Sequence, residues 1–439
     1  MGDTVLLEEC DMIYFEKGAP DVELTDQDLQ SGLVEALTKI GARKKVLAIP
    51  PDITRYHSMA GRLTEMAWEF YGDRLTDVLP ALGTHMAMSG EETGKMFGKL
   101  PRSLFRVHDW RHELVTLGEV PSSFVKEVSG GRVSYSWPAQ VNRLLVDGHH
   151  DLILSIGQVV PHEVIGMANY NKNILVGTGG KEGINKSHFL GAAYGMERIM
   201  GRALTPVRRV LNYAWEHFAT GLPVLFIQTV IGRNREGDLV VRGLYIGDDE
   251  ACFIKAAELS LKVNFQMLDE PLQKVVVYLD PGEYKSTWLG NKSIYRTRMA
   301  IADGGELVVL APGLKVFGED REIDRLIRKY GYLSTGEILE AVKREHGLQD
   351  NLSAAAHLIH GSTEGRFRVT YCPGHLSRQE IESVNYLYGD LQEMVSRYDP
   401  HTLKEGLNTM PDGEQIYYIS NPALGLWSWK EKFKSPEDD

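Results

Sequence analysis

Features that mark several protein classes are scarce in this sequence. The 439 residues include three cysteines, Cys10, Cys252 and Cys372, which lie far apart and form no CxxC pair. This pattern argues against a disulfide framework and against a thiolate zinc site. We therefore expect a reducing, cytoplasmic location.

Long apolar runs and basic clusters are also missing. Nowhere do 18 apolar residues run together, so no membrane-spanning helix is expected. The formal net charge is −12, without a dense Lys/Arg tract interleaved with aromatic residues, which argues against a nucleic-acid partner. The first residues, "MGDTVLLEECDMIYF", are acidic where a signal peptide would be basic, so export is not expected. A small molecule is the expected partner.

Three familiar site motifs are incomplete. "GTGGKEG" (177–183) has Leu175 where a phosphate-binding loop needs a glycine five positions before its Gly-Lys pair. "HEVIG" (162–166) has Gly166 where a zinc-protease helix needs its second histidine. The pair in "HLIH" (357–360) is interpreted as surface or hydrogen-bonded histidines rather than metal ligands.

What the sequence does contain is alternation of strands and helices. Short aliphatic runs predict strands, and several of them are followed by stretches with helical spacing. The predicted strands in the first half lie at 44–52, 76–85, 150–158 and 173–180. The last two are near-continuous aliphatic runs, as expected of buried parallel strands. This alternation indicates an α/β fold with mainly parallel sheets.

The length of the chain predicts two domains. A second series of strands begins at 273–282 and 305–313, followed by helical stretches at 321–331, 335–345 and 377–395. We predict an N-terminal cofactor-binding and catalytic domain over residues 1–268 and a C-terminal α/β domain over 272–412. The tail, 413–439, is expected to pack back on the first domain, and the active site is expected in the cleft between the two.

Polar residues gather where the predicted strands end. Asp52, Thr54 and Arg55 follow the first strand directly, and His85 stands between a strand and a helix. Ligands of open α/β sheets bind outside the carboxyl ends of the strands, so these segments are expected to converge. An aspartate can hold ribose hydroxyls and an arginine a phosphate, although a structural salt bridge and a structural histidine would give the same pattern.

A third polar segment is "PHEVIGMANYNKN" (161–173). It places Lys172 ten residues after His162, and His188 follows sixteen residues later. A lysine amine can be attached covalently to a cofactor. A solvated lysine between two polar loop histidines is the simpler interpretation of the same residues.

In this order, the elements PDxTR, GTH and PH-x9-K-x15-H resemble the lactate racemase family, which uses a nickel pincer nucleotide. The resemblance covers most of residues 45–312. It implies that the cofactor, pyridinium-3,5-bisthiocarboxylic acid mononucleotide nickel, is attached covalently to Lys172 and that His188 is a nickel ligand. It also implies cofactor contacts by Asp52, Thr54, Arg55 and Lys292, with separate cofactor-synthesis proteins as maturation partners.

The activity implied by the resemblance is inversion of carbon 2 of a 2-hydroxy acid, by a racemase or epimerase. His85 and His162 would be the acid/base pair. One of them removes the hydroxyl proton while a hydride leaves carbon 2 for the cofactor. Return of the hydride to the other face inverts the centre.

Several positions depart from the family pattern. GFSGGRK is replaced by "GMANYNK" (166–172), and Ile53 and Met86 stand where we expect arginines. These departures predict a substrate larger than lactate, such as a sugar acid of the gluconate/mannonate type. Its additional hydroxyls would be bound by Asn169, Tyr170 or Lys292.

Two other functions remain open from the sequence. A nicotinamide-dependent 2-hydroxyacid oxidoreductase needs similar polar groups, but no GxGxxG follows the first predicted strand. A non-catalytic protein that binds the nickel nucleotide is the other alternative. It would need neither His85 nor His162.

Overall fold

The computed structural model describes residues 12–433 of the chain. Cys10, most of the acidic N-terminal segment and residues 434–439 of the predicted tail lie outside that range. Within it, strands and helices alternate along most of the chain, as the sequence predicts.

The strands, in chain order, are β1 (Ile13–Gly18), β2 (Val46–Ile49), β3 (Leu75–Val78), β4 (Leu114–Val120), β5 (Trp137–Asn142), β6 (Leu152–Gln158), β7 (Pro161–His162), β8 (Gly166–Met167), β9 (Val224–Arg233), β10 (Leu239–Gly247), β11 (Phe265–Leu268), β12 (Leu272–Tyr278), β13 (Ile301–Ala311), β14 (Arg368–Pro373), β15 (Leu387–Tyr388), β16 (Gly406–Thr409), β17 (Gln415–Ile419) and β18 (Leu426–Trp429).

The α-helices are α1 (Asp26–Ile40), α2 (Ala60–Tyr71), α3 (Gly90–Phe97), α4 (Ser122–Val128), α5 (Leu144–Asp147), α6 (Asn171–Leu175), α7 (Lys181–Tyr194), α8 (Pro206–Phe218), α9 (Glu250–Asn264), α10 (Thr287–Gly290), α11 (Lys292–Thr297), α12 (Arg321–Tyr330), α13 (Thr335–Arg344), α14 (His346–Gln349), α15 (Leu352–Gly361), α16 (Arg378–Ser383) and α17 (Leu391–Arg397).

The first large sheet has the strand order β1-β10-β9-β6-β2-β3. Its strands β9, β6, β2 and β3 are parallel, whereas β10 and β1 add an antiparallel edge. All four residues of β2 are buried, as expected of a central strand with both faces covered. The predicted strands at 44–52, 76–85 and 150–158 are confirmed, although β3 ends at Val78. The carboxyl ends of β6, β2 and β3 therefore lie side by side.

The second large sheet has the order β15-β14-β13-β12-β17-β16 and is parallel except for β16. It extends past residue 412, the predicted end of the second unit, because Gln415–Ile419 pairs with β12. Beyond it, β18 pairs with β11, which lies at the predicted boundary. The fold is thus α/β with mainly parallel sheets, and we propose that the two large sheets are the cores of two domains.

The predicted strand at 173–180 is wrong. Residues Asn171–Leu175 form the short helix α6, and the turn that follows leads into α7. The apolar residues of this run are buried, but burial of so short a run does not distinguish a helical turn from a strand. As a consequence, Lys172 lies in the first turn of a helix. The predicted helix at 377–395 is likewise divided, since β15 separates α16 from α17.

Two further observations concern the described residues as a group. Cys252 and Cys372 are buried free thiols. Between residues 12 and 433, no helix is both long enough and apolar enough to cross a membrane.

Helices α2 and α3 approach each other closely at Gly61. A Cβ placed on Gly61 would lie 1.9 Å from the carbonyl oxygen of Met96. The two backbones can therefore keep this separation only if residue 61 has no side chain. This contact fixes α3, the helix that follows the loop carrying His85.

We predict that Gly61→Ala lowers the free energy of unfolding by roughly 1–3 kcal/mol, because the added methyl group forces the two helices apart. The matched control is Gly336→Ala in α13, where an added Cβ would meet no atom within 4 Å. That change should be neutral or stabilising by up to about 1 kcal/mol. Urea unfolding of both variants measures the difference, and equal midpoints would contradict the close approach.

Candidate functional site

The loops after β2 and β3 bring Asp52 and His85 together. One carboxylate oxygen of Asp52 lies 2.7 Å from Nδ1 of His85, and the other accepts hydrogen bonds from the backbone N–H and the hydroxyl of Thr54. Burial alone would raise the pKa of Asp52, but the bonds to His85 and Thr54 and the charge of Arg55 outweigh it and lower the pKa. The ionised carboxylate accepts the Nδ1 proton of His85, which leaves Nε2 of His85 as the basic nitrogen.

This geometry changes the interpretation of the first loop. Both oxygens of Asp52 are engaged within the protein and its side chain is buried, an arrangement that orients the ring of His85. The Thr54 hydroxyl also points to Asp52. Arg55 differs from both: it is exposed, and its guanidinium makes no hydrogen bond or ion pair with any residue between 12 and 433. Its guanidinium is available to an anion.

His162 lies in the hairpin formed by β7 and β8, two strands of two residues each. The backbone N–H of Val164 donates to Nδ1 of His162 over 3.1 Å, so the neutral ring carries its proton on Nε2. Burial, together with the charges of Lys172 and Arg55, holds the pKa of His162 well below its ordinary value despite the opposing carboxylate of Glu163. His162 is therefore neutral and presents an N–H group, whereas His85 presents a lone pair.

The Lys172 amine is activated by its surroundings. Burial and the nearby Arg55 lower its pKa to about 8, against the opposing effect of Glu163. At pH 7 roughly one such amine in ten is neutral, compared with fewer than one in a thousand for an ordinary lysine. The ammonium group makes no hydrogen bond with the described residues. Lys172 is thus a competent nucleophile.

His188 projects from α7 with one ring nitrogen already engaged. Its Nδ1–H donates to the carbonyl oxygen of Ile184 over 2.7 Å. Burial lowers the pKa of His188, so the ring is neutral and Nε2 carries the lone pair. A histidine held in this way by a backbone carbonyl is the usual arrangement of a metal ligand.

Lys292, from the second half of the chain, reaches the same cluster. Its pKa is lowered by burial and by the charges of Arg55 and Arg296. Arg296, also on α11, donates a hydrogen bond of 2.9 Å to the carbonyl oxygen of Pro161, which precedes His162. The structure therefore brings the predicted residues from three loops, α6, α7 and α11 into one electrostatic cluster.

The sequence interpretation missed Glu163 and a cavity beside it. One oxygen of Glu163 lies 3.7 Å from Arg296 and 3.9 Å from Nδ1 of His162. Glu163 lines a cavity of about 80 Å³ together with His188, Trp288 and His360. The available signal was the acidic residue directly after His162, together with the "HLIH" pair. A larger open depression of about 540 Å³ lies elsewhere, against β1, and contains none of the predicted site residues.

Tyr170 does not face this site, contrary to the expectation that it binds substrate hydroxyls. Its ring packs in the core, 4.5 Å from the ring of Phe226 and 5.3 Å from that of Phe253. Of the two positions predicted to have lost arginines, Met86 is 90% exposed and Ile53 packs partly into the core.

The chain was compared with known families and structures. Residues 30–198 match the family model described as the lactate racemase N-terminal domain. The crystal structure of a Thermotoga maritima protein, a structural-genomics target, superposes with a TM-score of 0.78 at 25% identity, covering 94% of this chain and 100% of that chain. The lactate racemase apoprotein from Thermoanaerobacterium thermosaccharolyticum superposes with a TM-score of 0.65 at 16% identity, covering 92% and 89%. No curated protein sequence matches. Residues 30–198 are therefore similar to the lactate racemase N-terminal domain, and the likeness to the lactate racemase apoprotein extends over most of the chain as a likeness of fold.

Proposed function

We propose that this protein is a racemase or epimerase that inverts carbon 2 of a 2-hydroxy acid with a nickel pincer nucleotide attached to Lys172. The observation that supports this most strongly is that one site contains both a lysine amine of lowered pKa and a histidine whose free ring nitrogen can bind a metal. The pKa of Lys172 is lowered to about 8. His188 is held by a backbone carbonyl with its Nε2 unprotonated.

The residues fit this cofactor. Among the described residues, no group of three His, Cys, Asp or Glu side chains could hold a bare metal ion. A metal that arrives inside a nucleotide needs only one further donor, which Nε2 of His188 supplies. Arg55 and Lys292 offer cations to a phosphate or a carboxylate. When bound, this group supplies the acceptor for the hydride of carbon 2.

The two histidines have different parts in moving the hydroxyl proton. Nε2 of His85 accepts the proton, and the carboxylate of Asp52 stabilises the resulting imidazolium. Nε2–H of His162 donates a hydrogen bond to the substrate oxygen. To accept the proton of the opposite stereoisomer, His162 must change tautomer: its proton moves from Nε2 to Nδ1, and Nδ1 then no longer accepts the bond from Val164.

The substrate class follows from the departures in the sequence. We propose a sugar acid of the gluconate/mannonate type, in the cytoplasm, with cofactor-synthesis proteins as partners in maturation. Besides its carboxylate and hydroxyl group, lactate offers only a methyl group for binding. A protein that binds lactate would therefore be expected to have an arginine that bonds to the carboxylate. Ile53 and Met86 supply no such charge.

The first test concerns attachment at Lys172. After co-expression with the cofactor-synthesis proteins, we expect a mass increment on the Lys172 peptide and its loss in Lys172→Ala, together with loss of activity. Lys181→Ala removes an exposed lysine nearby and should keep the increment. Intact-mass and peptide mass spectrometry measure both. Full activity of Lys172→Ala would refute the assignment.

The second test concerns His188. His188→Ala should lose most of the bound nickel while the mass increment on Lys172 remains, because only the metal donor is removed. A matched control is His217→Ala, since His217 also has Nδ1 bonded to a carbonyl four residues earlier, at 2.9 Å, but is exposed on α8. Elemental analysis gives the nickel content. Unchanged nickel in His188→Ala would remove this residue from the metal site.

The third test separates two roles for Asp52. If Asp52 orients His85, Asp52→Asn should lower kcat on the order of a hundredfold or more, with KM, the Lys172 increment and nickel content retained. If it instead held the ribose, the increment and nickel would fall. Asp77→Asn is the control, since Asp77 pairs with the buried His150 at 3.0 Å, outside the cluster. That change should affect stability more than turnover.

A further inference from the structure

The cavity of about 80 Å³ lies between Glu163 and His188 on one side and residues from the second half of the chain on the other. His188 and Glu163, the neighbour of His162, form one wall, and Trp288, Ser353 and His360 form the other. A single water needs only about 10–15 Å³ of such volume, so there is room for several substituent atoms.

Two buried polar atoms at this cavity have no hydrogen-bond partner among the described residues. They are one carboxylate oxygen of Glu163 and Nε2 of His360. His360 is 5% exposed. The Glu163 oxygen has only the longer ion-pair contacts to Arg296 and His162. A buried polar atom without a hydrogen bond is costly, so both atoms point to a ligand that would bond to them.

We propose that this cavity is a subsite for hydroxyl groups adjacent to the reacting carbon of the substrate, held by Glu163 and His360. This inference rests on the proposed function and specifies its substrate class. One hydroxyl donates to the Glu163 carboxylate. A second donates to Nε2 of His360 or accepts from it, according to the tautomer.

The charges of the two groups select a hydroxyl over other substituents. Burial alone would raise the pKa of Glu163, but the charges of Arg296 and Lys292 and a backbone hydrogen bond act against it and the pKa is lowered, so the group is ionised. Burial lowers the pKa of His360 to about 3, so its ring is neutral. A second substrate carboxylate would be repelled by Glu163, and an alkyl chain would leave both polar atoms unpaired.

His357 provides an internal comparison. It lies on the same helix, α15, is as buried as His360 and also lines the cavity. Its Nε2 is already bonded to the hydroxyl of Tyr332 at 3.0 Å. Of these two Nε2 atoms, that of His360 has no partner among the described residues.

The test uses two acids of equal length. L-Threonate has hydroxyls on carbons 2, 3 and 4, whereas 2-hydroxybutyrate has only the first. Cofactor-loaded protein should invert threonate with a kcat/KM at least about tenfold higher. His360→Leu should abolish this preference, His360→Gln should restore part of it, and His357→Leu should leave the ratio of the two rates unchanged. Glu163→Gln should also lower the preference.

Binding of both acids to the apoprotein, measured by ligand-observed NMR, gives a reading that does not depend on the cofactor. Stronger binding of threonate, lost in His360→Leu, supports the subsite even if a variant is poorly active. Equal binding and equal turnover would show that the cavity holds only water, and would overturn the subsite while leaving the racemase function intact. Failure to invert any 2-hydroxy acid, with the cofactor attached, would instead contradict the proposed function.

Discussion

The geometry of the site depends on one buried guanidinium. Arg208 on α8 is fully buried and forms no ion pair with a carboxylate of residues 12–433. It donates to the Asn171 side chain and to the carbonyl oxygens of Met167 and Asn169. The ring of Phe253 lies 4.4 Å from its charge. Burial lowers the pKa of Arg208 to about 9, and carbonyl dipoles and an aromatic face stabilise the cation that remains. These contacts fix the segment between His162 and Lys172.

That segment has an unusual backbone. Asn169 and Tyr170 both have positive φ angles, 69° and 58°, at the two positions where the family pattern GFSGGRK has glycines. Asn tolerates this conformation, but for a bulky tyrosine it is strained. Burial of the Tyr170 ring between Phe226 and Phe253, and the bonds from Arg208, offset the strain. Asn169 and Tyr170 thus adopt the backbone conformation that glycines adopt easily. This conformation fixes the position of Lys172 in the first turn of α6.

The position of polar residues directly after predicted strands indicated which of them lie close together. The reason is that the carboxyl ends of neighbouring parallel strands share one edge of the sheet. This pattern placed Asp52, His85 and His162 correctly at that edge. It did not distinguish a strand from a helical turn at 173–180, since a short buried apolar run has no periodicity to read. Nor did it identify the partner of Asp52, or the unpaired atoms of Glu163 and His360. Such pairings depend on side-chain directions across the fold, which no local pattern contains.

The charge of the site opposes that of the chain as a whole. The protein carries a formal net charge of −12, yet Arg55, Lys172, Lys292 and Arg296 influence the pKa values of one another or of Glu163. The nearby carboxylates of Asp52 and Glu163 neutralise only part of this positive charge. Because salt screens charges beyond about 8–10 Å in solution, an anion responds to the local cations at close range rather than to the distant negative surface. Burial is the larger cause of the lowered pKa of Lys172, and the charge of Arg55 adds to it. The same local cations would also hold the anionic nucleotide and the acid substrate proposed above, so Arg55 contributes both to amine activation and to anion binding.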